Sequence, residues 1–192
     1  MCSRIALLRG DQEAVEFSGG LYAQSLRAAQ QTVRGGFVVL SLHGSFVFAG
    51  NPEDSTFYHV QRVRDGKGFC TRSVRAVQGG RPIFIRIINF TTGGSSGKDV
   101  KHLQHGPPMP SPIPEPQDTQ PGCEQSDIPY INSSIGICDN NGKCRPENKR
   151  KHQWIRACGA LSPSAGSQAH QAALAFMSDS YFLVGVPHTH EI

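Results

Sequence analysis

Between Phe37 and Phe90 the chain runs through four stretches rich in β-branched and aromatic residues, each closed by a turn signal. This punctuation constrains the fold more than any other feature. The stretches are Phe37 to Phe48, Thr56 to Arg64, Phe69 to Gln78 and Pro82 to Phe90. Asp65-Gly66 and Gly79-Gly80 are dipeptides that favour tight hairpins, and Asn51-Pro52-Glu53-Asp54 marks a longer turn. Strands joined this closely pair antiparallel, so a meander is expected. Along the last stretch Ile83, Ile85 and Ile87 share one face, with Phe84, Arg86, Ile88 and Phe90 on the other. A sheet with such a face needs a covering layer.

The preceding segment supplies the cover. Gly19 to Val33 reads as a helix on which Leu21, Ser25, Ala28, Ala29 and Thr32 fall on one face, widened by Leu26 and Val33. Ser18 is the expected N-cap, and Gly35-Gly36 ends the helix. The small residues on this face let a partner pack closely. The fold class is therefore α+β, one helix laid on a curved antiparallel sheet.

Composition then changes. Eight of the 13 prolines lie between Pro107 and Pro129, among Ser, Gln and Glu, as in an extended connector. Beyond it, His152 to Cys158 reads as a strand, Gly159 to Gly166 as a loop and Gln168 to Leu183 as a second apolar helix. Three regions result: a first module over 1–92, a Pro-rich linker over 93–136, and a partial second module over 137–192 that resembles the start of another copy.

With 192 residues there is room for a real core. No apolar run approaches the ~20 residues that cross a bilayer. Ile5 to Leu8 is too short for a signal peptide, so a soluble intracellular protein is expected. The charge of +4 is mild, and basic residues are not interleaved with aromatics as in nucleic-acid binders, so no nucleic-acid partner is expected. Much of the excess sits in Lys143 to Lys151, a solvated loop or a contact for phosphates of an anionic carrier. Six cysteines form no CxxC pair and have no histidine at finger spacing, so neither disulfides nor metal are expected. Phosphate-loop, dinucleotide and serine-elbow patterns are absent, and no cofactor is implied.

Asp179 lies among large apolar residues, Phe176, Met177, Tyr181, Phe182 and Leu183. A carboxylate there either caps a helix end or bonds a neighbouring strand, or else orients and deprotonates a water in a poorly solvated pocket. Gly19-Gly20 serves a tight entry turn, or brings helix N–H groups to a developing oxyanion. Gln24 is a polar contact at the helix–sheet seam or an exposed side chain. His43, inside an apolar strand, is expected to be an interior residue.

Taken together, six ordered segments resemble type II acyl-CoA thioesterases over roughly residues 17 to 186. They are Gly19-Gly20-Leu21-x-Ala23-Gln24-x-Leu26, Leu40 to Phe46, Val63-Arg64-Asp65-Gly66-x-Gly68-Phe69 with Thr71-Arg72, Ala76-Val77-Gln78-x-Gly80-x-Pro82-Ile83-Phe84, Trp154 to Ala157, and Met177-Ser178-Asp179. The resemblance implies a double hotdog, two helices each wrapped by an antiparallel sheet, here one nearly complete module plus about half of a second. It implies hydrolysis of acyl-CoA to free acid and CoA by a water held by an Asp, a Ser or Thr, and a Gln. Asp179 matches that Asp as the catalytic residue, and Gly19, Gly20 and Gln24 become candidate substrate-binding residues. The matching Ser or Thr and Gln would follow the second helix, beyond Ile192, so turnover by this chain is expected to be weak or absent. The alternative is an impaired hotdog protein that binds acyl-CoA or acts as a partner subunit, pairing with itself or with a full-length relative. The end His190-Glu191-Ile192 lacks a Ser-Lys-Leu-type address, leaving peroxisome and cytosol both open.

Overall fold

The computed structural model describes residues 14–92, 130–137, 150–157 and 166–179. These fall into two compact units. The first contains helix α1 (Ala14–Gln30), strands β1 (Phe37–Phe46), β2 (Phe57–Asp65), β3 (Phe69–Gln78) and β4 (Arg81–Thr92), and helix α2 (Gly166–Ser178). The second contains the hairpin β5 (Tyr130–Ile137) and β6 (Arg150–Ala157).

Helix α1 starts at Ala14, ahead of the expected N-cap at Ser18, which lies inside the helix. Two interior glycines each cost roughly 0.5–1 kcal/mol relative to alanine, and packing offsets that cost. A Cβ placed on Gly19 would lie 2.9 Å from the Phe176 carbonyl oxygen and 3.2 Å from its ring, so the α1 and α2 backbones approach closely there. Farther along the seam, Arg27 Nη1 donates to Gln168 Oε1 at 3.3 Å and Gln30 Nε2 donates to Gln171 Oε1 at 3.0 Å. The helix exits through bonds from Thr32 N to Ala29 O and from Val33 N to Gln30 O, which tighten its last turn.

The two glycines give opposite expectations. A Cβ on Gly20 would meet nothing within 4 Å. Gly20→Ala should therefore raise stability by about 0.5–1 kcal/mol. Gly19→Ala should lower it, because overpacking against backbone costs roughly 1–3 kcal/mol. Denaturant midpoints of the two variants check the sign of each; equal shifts would remove the close helix contact from the account.

The sheet is antiparallel throughout, in the order β1-β4-β3-β2. Both expected hairpins form, but β1 pairs with β4 rather than with β2, so the simple meander is corrected. The loop between β1 and β2 is long enough to return across the sheet, and Gln78 pins it. Gln78 Nε2 donates to Asn51 O at 2.8 Å and Thr56 Oγ1 at 2.9 Å, while Asn51 N donates to Gln78 Oε1 at 2.9 Å. Val74, Ala76, Phe84, Ile88 and Phe90 bury against Leu21, Leu26, Ala28 and Ala29, the apolar core. Strand alternation directs Leu42 and Gly44 to that core, so His43 is exposed, contrary to the interior position expected of it.

In the second unit β5 pairs antiparallel with β6, from Tyr130 opposite Ala157 to Ile137 opposite Arg150. Strand β5 lies in the stretch read as connector up to residue 136; the proline-rich run ends at Pro129, and Ile131, Ile135 and Ile137 resume a two-residue period. Helix α2 clusters with the first unit rather than with the β5–β6 hairpin, because its buried Ala175 joins the α1 core. Most of the Pro-rich segment, residues 143–149 of the basic run, and residues 180–192 lie outside the described residues. No described helix is long and apolar enough to cross a membrane.

Candidate functional site

Asp179 follows the last turn of α2 and is half-buried. A carboxylate stabilises a helix at its N-terminus and is disfavoured beside the partial negative charge of the C-terminus, so capping does not explain it. Its neighbour is Tyr22 on α1. The Tyr22 phenol is held above its ordinary pKa by burial first and then by the Asp179 carboxylate, with the Arg86 guanidinium pulling the other way. One neutral hydroxyl thus lies within electrostatic reach of both an anion and a cation.

Arg86 is 1% exposed. Its guanidinium carbon stands 4.6 Å from the Tyr22 ring centroid, and Nη1 donates to the Tyr22 carbonyl and, at 3.1 Å, to Ser25 Oγ. Ser25 in turn donates to the same carbonyl at 3.0 Å. Arg86 Nε and Nη2 have no partner among the described residues. Burial pulls this group down to about 10, which still leaves it charged at neutral pH. Tyr22, Phe46 and Phe84 form an aromatic cluster, with ring centroids 4.9–5.8 Å apart. Gly44 makes the cluster possible, since a Cβ there would sit 2.6 Å from the Phe84 ring. The result is an aromatic wall, exposed at Phe46, beside one fixed positive charge.

Gln24 is the seam contact, not a free side chain: its Oε1 accepts from the Tyr58 hydroxyl at 2.8 Å. Burial pushes the Tyr58 phenol well up, so it remains a donor. Gly19 and Gly20 do not sit at a helix start. In a helix that begins at Ala14 they lie past the first four N–H groups, and their own are taken by carbonyls four residues earlier. The free-donor argument for them is therefore corrected. Gly19 is instead the close contact with Phe176, and Gly20 borders open space.

A second arginine anchors the far end of α1. Arg72, also 1% exposed, satisfies its whole guanidinium. Nε donates to Thr32 Oγ1 (2.8 Å), Nη1 to the carbonyls of Arg64 and Thr71 (3.0 Å each), and Nη2 to the Thr32 carbonyl (3.0 Å) and Asp65 Oδ1.

Residues 9–91 match the family described as the acyl-CoA thioesterase N-terminal domain. Over these residues the chain resembles the acyl-CoA thioesterases. It is 40% identical to human acyl-coenzyme A thioesterase 8 over 190 residues, covering 87% of this chain and 57% of the human protein. The chain thus spans little more than half the length of that relative. Among solved structures, acyl-CoA thioesterase II TesB2 of Mycobacterium marinum aligns with a TM-score of 0.66 at 30% identity, covering 91% of this chain and 63% of the other. A hot-dog-fold protein of Alicyclobacillus acidocaldarius aligns at 0.61 and 17% identity, over 95% and 70% of the two chains. The α1 helix wrapped by the four-stranded sheet is a hotdog.

Within this hotdog, Tyr22 and Arg86 escaped the sequence reading as site residues. A signal existed for Arg86: it occupies an inward position between Phe84 and Ile88, where an arginine is conspicuous. Tyr22 carried none, because it lies beside the helix face defined by smaller residues.

Proposed function

We propose that the chain acts on acyl-CoA thioesters, hydrolysing them to a free acid and coenzyme A. The observation that carries this reading is the half-buried Asp179 beside Tyr22 at the α1–α2 seam, in a chain whose residues 9–91 match a thioesterase domain. The Asp179 carboxylate holds a water and takes its proton as the oxygen attacks the thioester carbonyl. The tetrahedral intermediate then collapses, the C–S bond breaks, and the leaving thiolate takes the proton back from Asp179 to depart as coenzyme A. Water supplies the hydroxyl of the acid, and no acyl-enzyme forms. The aromatic cluster of Tyr22, Phe46 and Phe84 gives the site an apolar border. Gly20, with open space beside it, and Gln24 border the region where substrate would lie along α1; Gly19 shapes that region by admitting Phe176. Gln24 acts there while engaged with Tyr58.

The experiment is release of free thiol from a medium- or long-chain acyl-CoA by the purified chain. Thiol release above the buffer rate supports hydrolysis. Thermal stabilisation by acyl-CoA with release at the buffer rate overturns hydrolysis and leaves binding.

A further inference from the structure

Where α1 exits, β1 begins and the β2–β3 turn closes, the structure has a cavity of about 210 Å³, lined by Arg34, Phe37, Asp65, Gly66, Lys67 and Cys70. Its charge is unbalanced. Asp65, the single carboxylate in the lining, is already committed to Arg72. Arg34 and Lys67, both exposed, form no ion pair or hydrogen bond among the described residues. The Asp65 carboxyl is held below its ordinary range by the hydrogen bond from Arg72, against an opposing desolvation, with the charges of Arg72, Arg62 and Arg34 adding to the lowering. Four cations therefore surround one anion. Burial pushes the Cys70 thiol up, so the cavity floor adds no negative charge. Half-buried Phe37 contributes an apolar wall.

This arrangement suits a multiply charged anion attached to something larger. The cavity is below the roughly 300–1,000 Å³ of a pocket that encloses a whole drug-sized ligand, so it takes one end of a molecule. A phosphate monoester fits the excess charge, because Arg and Lys side chains supply charge-assisted donors to its oxygens. From Tyr22 to the end of α1 at Gln30 is roughly 12 Å at 1.5 Å per residue, and the cavity lies just beyond. The candidate reaction centre and the cationic cavity are thus separated along one helix. Coenzyme A has the same layout, a thiol at the end of an extended pantetheine arm and a phosphorylated ribose at the other.

We propose that this cavity receives the ribose 3′-phosphate end of coenzyme A, with Arg34 and Lys67 contacting the phosphate. The proposal rests on the acyl-CoA reading above, and its test separates the two. Two measurements are made on the 192-residue chain and on the variants Arg34→Glu/Lys67→Glu and Arg34→Gln/Lys67→Gln. One is calorimetric binding of adenosine 3′,5′-bisphosphate, which needs no turnover. The other is KM for an acyl-CoA against the same acyl group on dephospho-CoA.

The bisphosphate should bind to the native chain and at least about tenfold more weakly to the Glu pair, with the Gln pair between. KM should be about tenfold lower for acyl-CoA than for its dephospho counterpart, a gap the Glu pair closes. Bisphosphate binding that the substitutions do not weaken, or no binding together with equal KM values, overturns the cavity assignment and leaves hydrolysis standing. Charge-dependent bisphosphate binding without any thioester hydrolysis keeps the cavity assignment and overturns the hydrolase reading.

Discussion

Asp179→Asn is expected to lower thioester hydrolysis by roughly 10²–10⁴-fold, the contribution of a positioned general base. The amide keeps the shape of the carboxylate but can no longer accept the proton of the attacking water. Asp179 lies at the end of α2 and is only half-buried, so the fold should barely notice the change. The variant should melt within about 0.5 kcal/mol of the native chain. Tyr22→Phe separates the two roles at this seam. It removes the hydroxyl near Asp179 but keeps the ring under Arg86 and against Phe46 and Phe84. If the Asn variant releases thiol at the native rate, Asp179 is not the base.

The largest stability loss is expected at Arg72. Arg72→Ala removes five hydrogen bonds and a long side chain from a site that is 1% exposed. Breaking a hydrogen-bond network held by a buried side chain is among the costlier single changes, so a loss of roughly 2–3 kcal/mol is expected in a denaturant titration. The same bond network sets an acid-side pH dependence. Arg72 holds the Asp65 carboxyl below its ordinary value of 3.8, so the unfolded chain takes up a proton at higher pH than the folded one. Stability from this link is complete above pH 3.8 and is lost as pH falls through the lower folded value. Arg72→Ala should flatten that slope as well as lower the plateau. A loss under about 1 kcal/mol, with the slope intact, would show that the network is incidental.

Much of the first module was legible because its signals are local. Asp65-Gly66 and Gly79-Gly80 specify hairpins by turn chemistry alone, and the inward row Phe84, Ile88 and Phe90 follows from a two-residue period. What could not be read was set by contacts distant in sequence. The β1–β4 pairing depends on where a ten-residue loop returns, and Gln78 holds that loop from the far side of the sheet. The helix start was misplaced because glycine lowers helix propensity, while the reward for Gly19 comes from Phe176, more than 150 residues away. At the site, Asp179 stood out as a carboxylate in apolar surroundings. The phenol between it and Arg86 became visible only when α1 and α2 were brought together.

The two borders of the four-stranded sheet differ in chemistry. The β2 border carries Arg62 and Arg64, whose charges repel a like neighbour, on either side of exposed Val63. Along β1 and its continuation, Leu40, Phe46, Val47 and Phe48 are 42–57% exposed, and among the described residues the strand has a neighbour on one side only. Accretion through an open ladder requires no unfolding of the core. Crowded preparations should therefore clump from this greasy rim inward, and yield in the test tube will track solubilising changes at Phe46–Phe48 more closely than gains in melting temperature.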